Sequence, residues 1–434
     1  MTRWSKLAKM VLSGGKGEED ATVGLLQTRT KALVPEMPSH FVAKILHSMG
    51  ELHKRGRAQG RAPGAQQWDD SNFHPKNTGA RQLRGKLLLR ATATTGDLTP
   101  ESIASLLFTF AKMGIRPDEL LALIQKRVTA TARSFKPANI TNLFRAFATM
   151  NITPDASLLE GVQKRATEIL GNFKVEEVVS LARAFAHMGD LLDAGLLQAM
   201  QERATLLAGD LKPDDLASLM WAIAKMGAKP DAGLLEAMQR RATVTAGDFN
   251  AKNVSNLLRT FADMEIRPDT GLLEVMQERA TATAGDFKAS EVASLVRAFS
   301  ELGVMPGAGM LEAMQARATA TACDFKAGDV GGLMCALAEM GVTPDAGLLD
   351  AMHARATATA DAFTPERVAG LLEALSKMGA PPDAGLLAAI ERREGNAVAK
   401  AAANKEREAA FRVAQMKRLH YGLPNYRAEK TALT

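Results

Sequence analysis

Side chains that could ligate a metal or attack a substrate are present but not arranged to do so. The seven histidines, His40, His47, His53, His74, His187, His353 and His420, are scattered, and no two stand four residues apart. That spacing would bring a pair to one helix face to hold zinc. Cys323 and Cys335 are the only cysteines, too few and too far apart for a disulfide-built domain or a CxxC zinc ribbon, and they point to a reducing compartment. No phosphate-binding loop or dinucleotide fingerprint occurs. Carboxylates are frequent but recur at helix starts, where the helix dipole accounts for them. The expectation is a protein that is not an enzyme, with no cofactor, no metal and no small-molecule substrate.

Another kind of chemistry recurs at a fixed interval. Arg145, Arg183, Trp221, Arg259 and Arg297 follow one another 38 residues apart, with Phe108 37 residues ahead of Arg145. Three residues before each stands a small polar side chain, including Asn142, Ser180, Ser218 and Asn256. Arginine and aromatic side chains stack on unpaired bases, while Asn and Ser bond base edges. A set of side chains that varies from repeat to repeat on a constant scaffold is what a modular RNA reader needs. An ordinary solvated face also varies freely, so both readings stand. Phe108 and Trp221, unusual on a merely solvated face, favour the first.

A second series is invariant. Arg90, Arg127, Arg165, Arg203, Arg241, Arg279, Arg317, Arg355 and Arg393 form a ladder in near-perfect register. A residue identical in every repeat reads no sequence. It can contact regularly spaced phosphates, or it can lay its stem on apolar surface and pair with a carboxylate. The edge of a Leu/Met stripe, where it falls, favours the structural role, with the Asp at repeat position 21 or 38 as the expected partner.

The elements that position these residues are helices. Repeats open at Leu98, Phe135, Phe173, Leu211, Phe249, Phe287, Phe325 and Phe363, one step of 37 residues and six of 38. Counting the opener as position 1, positions 6, 9, 10, 13 and 16 are apolar, as in Leu216, Leu219, Met220, Ile223 and Met226. These fall on one face at 100° per residue. The small residues Ala217, Ala222 and Ala224 flank that face, and positions 4, 8, 11 and 15 lie opposite it. A Met-Gly pair, such as Met226-Gly227, ends the first helix in a left-handed cap. Pro230-Asp231 starts a second helix, which carries Leu234, Leu235 and Met238 and ends near Gly247-Asp248. No strand pattern occurs. The fold expected is all-α: a right-handed α-solenoid of about eight to nine 38-residue helix-turn-helix repeats.

Around the eight repeats (98–396) the chain changes character. Residues 1–34 form an N-terminal extension whose Glu18, Glu19 and Asp20 make it a poor match to a transit peptide. Residues 35–97 read as an interrupted first repeat with a basic insertion, 51–86. Such insertions map to loops on one face of a repeat array, often the binding face, although a tolerated loop reads the same. The insertion would hold phosphate through Lys54, Arg55, Arg57, Arg61, Arg81 and Arg84. Residues 397–434 read as a C-terminal helix and tail. No apolar run is long enough to cross a membrane, so no membrane insertion is expected.

A 38-residue, two-helix repeat with a core such as LASLMWAIAKMG (216–227) resembles the octotricopeptide repeat. Related repeats occur in FAST-kinase-like proteins and in a subunit of the RNA-editing substrate-binding complex. The matching elements are the Leu-Ala-Ser/Asn-Leu start, Trp221, the Ala-Lys-Met-Gly close and the Pro-Asp second start. They cover residues 98–396 and more weakly 38–97. The resemblance implies single-stranded RNA binding in a mitochondrion or chloroplast, in RNA processing, stability, translation or ribosome assembly, with other proteins of an RNA–protein assembly as further partners. The rival expectation is a protein-interaction scaffold whose groove holds a peptide or protein.

Charge sharpens the choice. The 434-residue chain has 46% hydrophobic and 24% charged residues and a net charge of +6. That average hides +3 in residues 1–50, +5 in 51–86, +5 in 391–434 and −7 in 98–390. Within the array the first two repeats are positive, and those after Phe287 are acidic. RNA is therefore expected at the N-terminal repeats and the insertion rather than along the whole array, with a steep loss of affinity in salt.

Overall fold

A computed structural model of the chain describes residues 88–189 and 191–393, together with Val42 and Lys86. The N-terminal extension, nearly all of the insertion with its six basic candidates, and the tail lie outside the described residues. Every regular element among the described residues is helical. The first helices of the eight repeats are α1 (Pro100–Met113), α3 (Pro137–Met150), α5 (Val175–Met188), α7 (Pro213–Lys225), α9 (Ala251–Asp263), α11 (Ala289–Glu301), α13 (Ala327–Glu339) and α15 (Pro365–Lys377). The second helices are α2 (Asp118–Thr131), α4 (Ala156–Ile169), α6 (Ala194–Leu206), α8 (Ala232–Val244), α10 (Thr270–Ala282), α12 (Ala308–Ala320) and α14 (Ala346–Ala358), with a last one over 384–393.

Local chemistry sets the ends of these helices. Proline occupies the first turn of α1, α3, α7 and α15, where no intrahelical N–H is lost. In α5 the Glu177 carboxylate accepts the Lys174 backbone N–H at 2.8 Å. After α7, Gly227 takes φ +68°, and the Ala228 N–H reaches back to the Ile223 carbonyl at 3.2 Å. This is the left-handed cap that the Met-Gly pair predicts. Asp231 caps α8 by accepting the Leu234 N–H at 2.7 Å, and Asp193 and Asp345 do the same for their helices. The second helix stops short of Gly247-Asp248: α8 ends at Val244, and a 3-10 turn over Ala246–Asp248 leads into the next opener.

The apolar face packs as its spacing requires. Leu216, Leu219, Met220 and Ile223 are buried, and so are the flanking Ala217 and Ala222, which let neighbouring first helices approach closely. Met226, expected on the same face, is half-buried. The openers Phe135, Phe173, Phe249, Phe287 and Phe325 are each 0% exposed, every ring contributing about 1.5–3 kcal/mol of burial.

The chain divides into two compact units, residues 1–249 with 268–276 and residues 250–267 with 277–434. In the first unit, α1, α3, α5 and α7 pack serially in one layer, and α2, α4, α6 and α8 in another. In the second, α9, α11, α13 and α15 form one layer, and α12 packs on α14 in the other. Each unit is thus a stack of helical hairpins, the α-solenoid arrangement.

Candidate nucleic-acid interface

In the first unit, positions 8, 11 and 15 of the first helices form a strip away from the buried face. The exposed side chains are Lys112, Arg145, Thr149, Arg183, His187 and Lys225. Phe108, Asn142, Ser180, Ser218 and Trp221 are half-buried among them. Two contacts, Arg145–Phe108 and His187–Trp221, join neighbouring repeats along the strip, and Lys112–Phe108 adds one within the first repeat. Lys112 Nζ lies 4.5 Å and the Arg145 guanidinium carbon 4.9 Å from the Phe108 ring centroid. The His187 and Trp221 rings are 5.2 Å apart and tilted by 50°. Neither Arg145 nor Arg183 makes an ion pair among the described residues. At positions 11 and 15 of these four repeats there is no carboxylate. The arrangement offers cations backed by aromatic rings, whose charges and ring faces suit phosphates and unpaired bases.

The same positions in the second unit are used differently. Arg259 Nη2 donates to Asp263 Oδ1 at 2.5 Å, and Nη1 donates to Glu301 Oε1 at 2.8 Å. Arg297 Nη2 donates to the same Glu301 oxygen at 3.2 Å. Burial works against the Arg259 charge, yet the hydrogen bonds it donates to Asp263 and Glu301 outweigh that and raise the guanidinium's pKa. Glu339 accepts from the Ser300 hydroxyl at 2.8 Å. An open cavity of about 410 Å³ lies here, lined by Arg297, Glu301, Gly332, Cys335, Glu339 and Arg367 among others. Burial first, then the nearby Glu339 and Glu373, push the Cys335 thiol up, away from its reactive form. Arg259 and Arg297, grouped by spacing with Arg145 and Arg183, are thus held by carboxylates, while Asn256 is exposed beside them.

The invariant ladder also has a defined partner. In the first unit, the Nε–H groups of Arg127, Arg165, Arg203 and Arg241 donate to the carbonyls of Leu98, Phe135, Phe173 and Leu211, at 2.8–3.3 Å. In the second, Arg317 and Arg355 reach Phe287 and Phe325 at 2.6 Å. Each arginine ties its second helix to the opener of its own repeat. The expected Asp at position 21 or 38 is not the partner in these six. The opener's carbonyl follows a 3-10 turn and lacks a helical donor, and so it takes the guanidinium. Arg90, Arg279 and Arg393 are half-buried.

Sequence reasoning missed a third ladder. Gln125, Gln163, Gln201 and Gln239 accept, through Oε1, the backbone N–H of Asp155, Asp193, Asp231 and Asp269 in the following repeat, at 2.7–2.8 Å. In the second unit Gln277 and Gln315 do the same for Gly307 and Asp345, at 2.7 and 3.2 Å. The signal was available as glutamines 38 residues apart. In the seventh repeat His353 stands in that place, and its buried Nε2 has no hydrogen-bond partner among the described residues.

Among the described residues no three His, Cys, Asp or Glu side chains cluster to hold a metal ion, and no helix is long and apolar enough to cross a membrane. A comparison with curated proteins finds no match. A family model described as RNA-editing substrate-binding complex 6 protein matches residues 168–421.

Proposed function

The chain belongs to the RNA-editing substrate-binding complex 6 protein family, and on that footing we propose that it is a non-catalytic subunit of an RNA–protein assembly that binds single-stranded RNA. The contact surface is the strip of the first unit. Bases stack on Arg145, Arg183 and Trp221 and bond Asn142, Ser180 and Ser218, while Lys112 and Lys225 neutralise phosphate. The insertion's basic residues, Lys54, Arg55, Arg57, Arg61, Arg81 and Arg84, add phosphate contacts. The site of action is an organelle, the mitochondrion or chloroplast of the repeat proteins it resembles. One observation carries the reading: four repeats in succession present cations and aromatic rings on one strip with no carboxylate at positions 11 and 15. Arg145→Ala and Arg183→Ala should each weaken binding of a labelled single-stranded RNA by roughly tenfold, the value of one stacking contact. No RNA binding by the full chain at low salt would overturn the proposal, and an unchanged affinity in both variants would overturn the assigned face.

A second reading concerns the other unit alone. Its strip carries Asp263, Glu301, Glu339 and Glu373 at positions 11 and 15, a charge that repels RNA and favours a protein contact within the same assembly. Partners that co-purify after RNase treatment, and are lost when these acids are neutralised, support it.

A further inference from the structure

Four repeats share an arginine at position 11, and the residue four places on differs. Arg145 is followed by Thr149 and Arg183 by His187, while Arg259 is followed by Asp263 and Arg297 by Glu301. One helical turn puts positions 11 and 15 side by side. Thr149 turns its hydroxyl to the Arg145 carbonyl at 2.8 Å and leaves the guanidinium alone, so that it rests on Phe108. Asp263 and Glu301 instead take the guanidinium donors. Carboxylate and phosphate oxygens bind the same arginine fork.

We infer that position 15 is a specificity-determining position. A carboxylate there occupies the position-11 arginine as an internal stand-in for phosphate and removes that repeat from the RNA-contacting set, whereas an uncharged residue leaves it available. Glu301 is the principal latch, since it holds both Arg259 and Arg297. The inference rests on the RNA-binding reading above, but its structural half can be tested without RNA.

The control for charge lies in the fold. Glu339 is also at position 15, one repeat on, but its position-11 partner is Cys335. Glu301→Thr and Glu339→Thr therefore remove the same charge at equivalent places, and only the first frees an arginine: Arg297 loses its carboxylate, while Arg259 keeps Asp263. Phenylglyoxal modification of the full chain, read by mass spectrometry, should label Arg145 and Arg183 readily and Arg259 slowly. Glu301→Thr should raise the Arg297 rate severalfold, and combined with Asp263→Thr the Arg259 rate as well, whereas Glu339→Thr should leave the Arg259 rate unchanged. In titrations with a labelled oligouridylate, Glu301→Thr should bind about fivefold more tightly, with a salt slope steeper by roughly 0.7 for each arginine released. Glu339→Thr should stay within about twofold of the parent, a screened exposed charge. Thr149→Glu, which installs the latch beside Arg145, should weaken binding. Equal effects of Glu301→Thr and Glu339→Thr on both readouts would overturn the inference. A parent chain that binds no RNA while the labelling pattern holds would instead overturn the RNA reading and leave the latch as a purely structural pairing.

Discussion

At the residue scale, the same side chain does three jobs, decided by what stands within one helical turn or one repeat of it. Arg203 binds the Phe173 carbonyl through Nε and Nη2 at 3.1 and 2.9 Å and serves the fold. Arg259 is taken up by carboxylates. Arg183 makes no ion pair among the described residues and is exposed. The glutamine ladder is the clearest structural test at this scale. Gln163 is 6% exposed, accepts the Asp193 N–H and donates to the Leu191 carbonyl at 3.0 Å. Gln163→Ala strands both backbone groups and should cost about 1–3 kcal/mol in denaturant unfolding. His353→Gln should do the opposite, gaining about 1 kcal/mol by restoring the acceptor that the half-buried histidine does not provide. Loss of stability in His353→Gln would mean that the imidazole packs for a reason the ladder does not supply.

At the element scale, the helix boundaries were the most legible part of the chain. Met-Gly ends and Pro-Asp starts are chemical signals, since each states how an orphan N–H or carbonyl is met. They located α7 and α8 to within a few residues. The departures have causes too. The second helix closes in a 3-10 turn because the chain must deliver a buried opener such as Phe249 into the next layer. Spacing alone could not show that, because 3-10 and α turns share most of their side-chain pattern. Two first helices end on a residue other than glycine in the left-handed region, Asn151 at φ +51° and Glu265 at φ +55°. Asparagine tolerates that conformation, and glutamate pays for it in steric strain. Glu265 is exposed, so Glu265→Gly should raise stability by about 0.5–1 kcal/mol, read as a shift of the denaturation midpoint without a change in slope. The partners of the ladders were not legible. Periodicity shows that a side chain repeats, but an acceptor thirty residues away belongs to the fold.

At the scale of the whole molecule, charge and architecture divide at the same place. The four repeats over 98–248 carry no net charge, and residues 249–390 carry −7. The two compact units separate at Phe249–Asn250 as well, except that residues 268–276 belong with the first. The polarity was readable from composition, but its meaning was not. Four arginine positions on one strip looked equivalent until Asp263 and Glu301 were seen to bind two of them. The account's central claim is that RNA lies on the first unit's strip. It is tested most directly by ultraviolet crosslinking of a uridine-rich single strand to the full chain, with the attached residues mapped by mass spectrometry. Crosslinks should concentrate at Phe108, His187 and Trp221 on the strip of repeats 1–4. Crosslinks confined to the acidic repeats after Phe287, or none at low salt, would contradict it.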